Sequence, residues 1–142
     1  SLHDALPISM VCQKREIELK VIIEGQSLSF MDDMDISALF GNMLDNDIES
    51  VSRQKEKEKR LIWLYVSREK QFVRIRTENY CDEKIRFRNG MPVTTKKDKR
   101  LHGYGMKSIC ATVEKYGGST VACQRDNWFE LKILIPISGK KA

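Results

Sequence analysis

Apolar and charged residues alternate in REIELKVIIEG, where Ile17, Leu19, Val21 and Ile23 share one side, and this period of two predicts a half-buried strand closed by Gly25. A second short extended piece is expected at Leu28 to Phe30. The period then changes. Ile36, Leu39, Phe40, Met43, Leu44, Ile48 and Val51 recur at three and four, which predicts a long amphipathic helix from an N-cap at Asp35 to about Glu58. Its apolar stripe needs a sheet to cover. RLIWLYVSREKQFVRIRTEN supplies one, two β-rich runs around a polar turn at Arg68 to Lys70. From Asn79 to His102 the pattern dissolves into a polar, lysine-rich stretch with Gly90 and Pro92, and a loop of that length inside a domain is functional or disordered. Met106, Ile109, Cys110 and Val113 mark a second helix ended by Gly117 and Gly118, and STVACQ with WFELKILIPI closes the chain as a further hairpin. The order strand, helix, two strands, loop, helix, two strands implies an α+β fold: two layers, with helices on one face of a mostly antiparallel mixed sheet.

Composition narrows the class. With 142 residues, 41% of them hydrophobic and 32% charged, the chain is expected to form one globular domain. Its longest apolar runs, such as Ile133 to Ile137, fall far short of the ~20 residues that a membrane span needs, and no signal-peptide pattern opens it, so a soluble protein without direct membrane contact is expected. Cys12, Cys81, Cys110 and Cys123 form no CxxC pair and only two histidines are present, which favours reduced thiols over a zinc site or a disulfide framework. The net charge of +5 raises the question of nucleic acid. Its basic residues lie in RQKEKEKR, a mixed run that suits a solvated helix end, and in TTKKDKRLH, where lysines without interleaved aromatics suit phosphates better than stacked bases. A nucleic-acid partner is therefore not expected.

The first nine residues stand apart. Leu2 to Ile8, LHDALPI, is what CTA CAC GAC GCT CTT CCG ATC encodes, a string matching the end of a common sequencing adapter. Residues 1–9 are accordingly expected to have no packing role, with the domain spanning 10–142.

Two stretches carry candidate chemistry. In GNMLDNDIES, Asn42, Asn46 and Glu49 fall at i, i+4 and i+7 and share one helix face beside the apolar stripe. Neutral amide oxygens suit a hard cation such as Mg²⁺, which keeps waters and shares a nucleotide's phosphates, although two asparagines on a helix are also ordinary polar surface. HGYGMKS places Gly103 and Gly105 where the second helix is expected to open, and backbone N–H groups there favour a phosphate. It is neither a dinucleotide fingerprint, since Ser108 stands at the third glycine position, nor a P-loop, and by itself it also describes a tight turn.

Taken together, GNMLDNDIES, RTEN, TTKKDKRLHGYGMKSI and VEKYGGS, in that order and spacing, resemble the nucleotide-binding domain of the gyrase, Hsp90, histidine kinase and MutL (GHKL) superfamily. Among its members they look most like the ATP-binding domain of peptide-pheromone quorum-sensing histidine kinases, over nearly all of Cys12 to Ile137. The resemblance implies the Bergerat ATP-binding fold and the cofactors ATP and Mg²⁺. Asn46 is implied as the Mg²⁺ ligand and Asn42 as a residue near the phosphates. The implied lid runs over about 80–102, with Lys96, Lys97 and Lys99 available to phosphates, and the stretch His102, Gly103, Tyr104, Gly105, Met106 and Lys107 matches the glycine box. Asn79 stands where the superfamily has an aspartate that meets adenine, a weaker partner without the charge. Such a domain delivers the γ-phosphoryl of ATP to a histidine on dimerisation helices, from which a response regulator is served. The resemblance further implies a cytoplasmic, bacterial setting in a membrane-anchored kinase. Lacking that helix pair, the chain is expected to bind ATP without labelling itself efficiently.

Asp47 departs from that pattern, because related sequences have alanine there. On or beside the apolar stripe, an unpaired carboxylate costs several kcal/mol or takes up a proton, so an error or a destabilising variant is favoured over a catalytic role. Two other readings remain open: an anti-sigma-type serine/threonine kinase of the same fold, told by transfer to a partner's serine, and an interaction module that has lost nucleotide binding.

Overall fold

The computed structural model describes residues 7–24, 28–93 and 99–137, with residues 99–104 given by their backbone alone. Helix α1 (Ile8–Lys14) buries Val11 and Cys12. Its first amides bond the carbonyl of Pro7, Met10 N–H at 3.0 Å and Val11 N–H at 3.1 Å. Ile8 packs on the core. The expectation that residues up to 9 lack a packing role is thus corrected for Pro7 and Ile8, because a helix needs acceptors for its opening N–H groups and α1 takes one from Pro7. Residues 1–6 lie outside the described residues.

Strand β1 (Glu18–Ile23) runs parallel to β2 (Leu61–Glu69) at one edge of a five-stranded sheet. The expected alternation holds only at its start. Ile17 is buried and Leu19 half-buried, whereas Val21, Ile22 and Ile23 are about half exposed, since the helix packed on this strand, α1, has only seven residues. Leu28 to Phe30 forms a turn in place of the expected strand, with Met31 N–H bonded to the Leu28 carbonyl at 3.1 Å.

Helix α2 (Asp33–Ser52) buries Leu39, Met43, Leu44, Ile48 and Val51. Asp35 is not its N-cap. It lies within the first turn and accepts hydrogen bonds from Tyr116 Oη at 2.5 Å and Lys115 Nζ at 2.8 Å. The Tyr116 hydroxyl in turn accepts from the Asp32 N–H at 3.0 Å, so one tyrosine ties the start of α2 to the end of the next helix. The helix stops at Ser52, short of Glu58, because Val51 is its last buried residue and nothing apolar follows in RQKEKEKR to hold another turn.

Strands β2 and β3 (Phe72–Tyr80) form the expected hairpin, turning at Lys70 and Gln71. The stretch after β3 is less irregular than its sequence implied. Phe87–Arg88 (β4) and Met91–Pro92 (β5) pair across Asn89-Gly90, both with positive φ, 53° and 76°. That dipeptide is the favoured loop of a two-residue hairpin. Helix α3 (Lys99–Lys115) ends as expected at Gly117, whose φ of 76° suits glycine. The N–H of Gly118 bonds Val113 O and that of Gly117 bonds Glu114 O, both at 2.9 Å, which is a Schellman termination. Strands β6 (Ser119–Arg125) and β7 (Trp128–Pro136) complete the sheet in the order β1-β2-β3-β7-β6, all pairs antiparallel but the first.

Side chains alternate faces along a strand. On β3 the inward positions are Val73, Ile75, Thr77 and Asn79, all buried, so the apolar half of the strand carries the core and its second half presents polar groups to the same layer. Helices α2 and α3 cover this face, as the α+β reading expects. Gly118 approaches β7 so closely that an added Cβ would lie 2.5 Å from the Leu134 carbonyl oxygen. Gly118→Ala is therefore expected to cost roughly 2 kcal/mol or more, from overpacking against backbone, and Gly90→Ala, which meets open space, roughly 1 kcal/mol from its positive φ. Urea unfolding of both variants checks the order; an equal or smaller loss for Gly118→Ala would refute the contact.

Candidate functional site

The rotation of α2 that buries its apolar stripe turns the neighbouring positions toward the end of β3. There a pocket of about 200 Å³ is lined by Asn46, Asp47, Ser50 and Arg53 of α2, Asn79 of β3, Met106 of α3 and Phe129 of β7. Cys81, Glu83, Lys84, Ile85 and Arg86, which follow β3, and Pro92 and Val93 at the small hairpin complete the wall. Polar and charged side chains thus share the lining with an apolar set of Cys81, Ile85, Pro92, Val93, Met106 and Phe129, the mixture that a small-molecule site with a polar rim uses.

The residues expected from the sequence divide. Asn46 and Asn79 meet in this pocket with Met106. Asn46 also lies against Gly105: a Cβ at that glycine would sit 3.1 Å from Asn46 Oδ1, so the absence of a side chain lets the two helices approach there. Asn42 is turned elsewhere. Its Nδ2 donates to Ser108 Oγ at 3.0 Å, fastening α2 to α3, and neither it nor Glu49 is among the lining residues. Lys107 is exposed and lies outside the lining as well. Lys96 and Lys97 lie outside the described residues, as do the side chains of Lys99, His102 and Tyr104.

One expectation about α3 is corrected. The helix begins at Lys99, so Gly103 and Gly105 are its fifth and seventh residues and do not open it. No glycine or proline interrupts Lys99 to His102, and the helical period extends back over them. From the fifth residue onward an α-helix N–H is bonded within the helix, so Gly105 serves through its missing side chain and not through a bare amide.

Ser50, Arg53, Cys81 and Phe129 were missed. Ser50 and Arg53 stand four and seven residues beyond Asn46, and the same helical period that linked Asn42 to Asn46 would have reached them. Phe129 faces Asn79 across the β3–β7 register, a neighbour that no sequence spacing discloses.

Polar groups at the floor are tightly constrained. Asn79 is 1% exposed and commits its amide hydrogens to Ser50 Oγ at 2.9 Å and Tyr80 O at 3.1 Å. The Cys81 thiol donates to Glu83 O at 3.4 Å, and burial pushes its pKa up, which keeps it protonated. Asp47 is 2% exposed. Burial raises its pKa from the ordinary 3.8 to about 8, and the Thr77 hydroxyl beside it offsets only part of that. Neither Asp47 Oδ2 nor Thr77 Oγ1 has a hydrogen-bond partner of proper geometry. No group of three or more His, Cys, Asp or Glu able to hold a metal occurs among the described residues, so a cation here would draw on Asn46 and on the ligand's own oxygens.

Residues 31–136 match the family model of the GHKL domain, and the chain belongs to that family. No curated protein matches it. Among solved structures, the nucleotide-free catalytic domain of histidine kinase ThkA superposes with a TM-score of 0.66 at 16% identity, covering 95% of this chain and 92% of that one. Histidine kinase AdeS of Acinetobacter baumannii gives 0.63 at 11% identity, over 96% of this chain and 61% of its own. Full-length ShkA, solved in complex with AMPPNP, gives 0.62 at 13% identity, and this chain spans 95% of itself but 28% of ShkA. The shared property is the fold, an α+β layer of the kind that histidine kinase catalytic domains have.

The buried carboxyl sets a pH dependence. A folded pKa of about 8 against an unfolded value near 3.8 means that the folded chain holds the Asp47 proton more tightly. Its burial therefore costs little below pH 4 and increasingly more as pH rises toward 8, by about 1.4 kcal/mol per pH unit. Asp47→Ala is expected to raise Tm at pH 7.5, with the gap over wild type closing toward pH 4.5. A lower Tm for the variant at pH 7.5 would show the carboxyl to be stabilising.

Proposed function

We propose that this chain is the Mg-ATP-binding catalytic domain of a sensor histidine kinase of the peptide-pheromone quorum-sensing kind. The observation that carries the reading is the pocket at the end of β3, in which Asn46, packed on Gly105, and Asn79 meet beside the apolar side chains of Ile85, Pro92, Met106 and Phe129. Its volume of about 200 Å³ accommodates a planar ring system and is below the roughly 300–1,000 Å³ of whole-ligand clefts, so the phosphates of a nucleotide would extend beyond it. Ile85, Met106, Pro92 and Phe129 suit the faces of a base, and the exposed guanidinium and ammonium groups of Arg53, Lys84 and Arg86 suit anionic oxygens at the rim. Lys96, Lys97 and Lys99, with the stretch His102 to Lys107, remain proposed partners of the phosphates.

Asn46 would supply one neutral oxygen to Mg²⁺, a number that fits an ion which keeps its waters and shares phosphate oxygens. Held there, such an ion would neutralise charge on the transferring group. The chain's own contribution is to hold the base, exclude water from it and fix the direction of the triphosphate, since positioning and electrostatics supply most of the catalysis of phosphoryl transfer. The acceptor is a histidine on dimerisation helices of the same kinase, with a response regulator downstream. Asn42 acts here by locking α2 to α3 through Ser108.

Calorimetric titration of the whole chain with AMPPNP tests the proposal. Binding is expected to weaken roughly tenfold or more without Mg²⁺, and similarly in Asn46→Ala, the loss of one ligand to a charged group. Equal affinity with and without Mg²⁺ would remove the metal from the account. No binding by the wild type, or by an Asp47→Ala variant, would leave a GHKL-fold interaction module as the better reading.

A further inference from the structure

Strand β1 closes one edge of the sheet and pairs, among the described residues, with β2 alone. The N–H groups of Glu18 and Glu24 bond Arg60 O at 2.8 Å and Val66 O at 2.9 Å. Backbone groups alternate sides along a strand, so Lys20 and Ile22 also face β2, while Leu19, Val21 and Ile23 turn their N–H and C=O groups away from the sheet. Val21, Ile22 and Ile23 are 48, 49 and 55% exposed. Edges are commonly blunted by proline, a bulge or brevity, and β1 has none of these: its six residues pair in unbroken register and include no proline. An apolar edge of this length is a template for another strand.

We propose that β1 is a self-recognition edge: two copies of this chain pair antiparallel through it, about a two-fold axis at Ile22, and join their five-stranded sheets into one. The strand's own charges select both partner and register. With Ile22 opposite Ile22, Lys20 of each copy faces Glu24 of the other, on the sheet face that Ile22 shares with Trp63 and Tyr65. Val21 then faces Ile23, and these are residues whose backbone groups turn outward, so each such pair exchanges two hydrogen bonds. Lys20 and Glu24 fall at the closer positions between them, about 4.5 Å apart at Cα. Opposite charges directly across a ladder stabilise it and like charges destabilise it. Neighbouring registers lose the match: a centre at Val21 sets Glu18 against Glu24, a centre at Lys20 sets that lysine against itself, and a centre at Ile23 sets Glu24 against Ile22. An isologous contact of this kind closes at two copies. No residue of β1 lines the pocket between α2 and β3, so the pairing stands apart from the nucleotide reading.

Sedimentation equilibrium on the whole chain, from about 10 µM to 1 mM as suits a small, transient interface, tests this. Wild type is expected to form a dimer and nothing larger. Lys20→Glu and Glu24→Lys each set like charges across the axis twice and weaken the dimer about tenfold, whereas the two substitutions together restore opposite charges and recover it. Recovery in the double variant separates a charge pair across the axis from damage to the fold, and cooperative unfolding of each variant is checked beside it. Val21→Pro removes an outward N–H without touching the ladder to β2, and is expected to abolish pairing. A chain that stays monomeric to 1 mM, a dimer whose affinity neither charge reversal changes, or a double variant that fails to recover would each overturn the inference.

Discussion

Everything in this domain depends on how one helix sits on one strand. Helix α2 covers the sheet with Leu39, Met43, Leu44, Ile48 and Val51, and burying that stripe fixes its rotation about its own axis. Once the rotation is fixed, Asn46, Asp47 and Ser50 have no freedom about where they point, and they point at the end of β3. The strand makes a matching commitment. Val73 and Ile75 belong to the core, and the period of two then turns Thr77 and Asn79 inward whether or not that layer is apolar. Core and pocket are consecutive stretches of one interface, and Tyr116, bonded to Asp32 and Asp35, fastens the other end of α2 to α3.

The consequence is a conflict between stability and use. Four polar or charged residues are buried among the described residues: Asp47, Thr77, Asn79 and Glu130. Three of them stand together at the seam of α2 and β3. Asn79 is satisfied by its neighbours, whereas the carboxyl of Asp47 and the hydroxyl of Thr77 have unpaired oxygens. A domain selected for stability alone would place alanine or valine there. Strain kept at a site and offset by a well-packed core elsewhere is the common pattern of binding domains.

Much of this was legible in the chain, and the failures have physical causes. Strong period-two and period-three-to-four patterns gave both hairpins, both long helices and the α+β layer. Asn46 and Asn79, singled out through motif resemblance, line one pocket. Boundaries were less legible. RQKEKEKR has good helix formers but no apolar partner, so α2 ended a turn and a half early; Lys99 to His102 carries Leu101 as its one apolar residue, a weak signal through which the helix nonetheless continued back. At Asn89-Gly90 the turn signal was present and was lost in the surrounding lysines. Phe129 had no local signal, because its place depends on strand register. Val21 and Ile23 were read as the buried side of a half-buried strand from their alternation, and an edge position left them uncovered.

The central claim is that the seam between α2 and the end of β3 is the nucleotide site of this GHKL domain. Amide chemical-shift mapping on the isotope-labelled chain, with Mg²⁺ and AMPPNP added stepwise, tests it most directly. The account predicts the largest shifts at Asn46, Ser50, Asn79 and Gly105, with Val121 and Leu134 on the far face of the sheet unmoved. Shifts confined to that far face, or none at all at millimolar nucleotide, would contradict it.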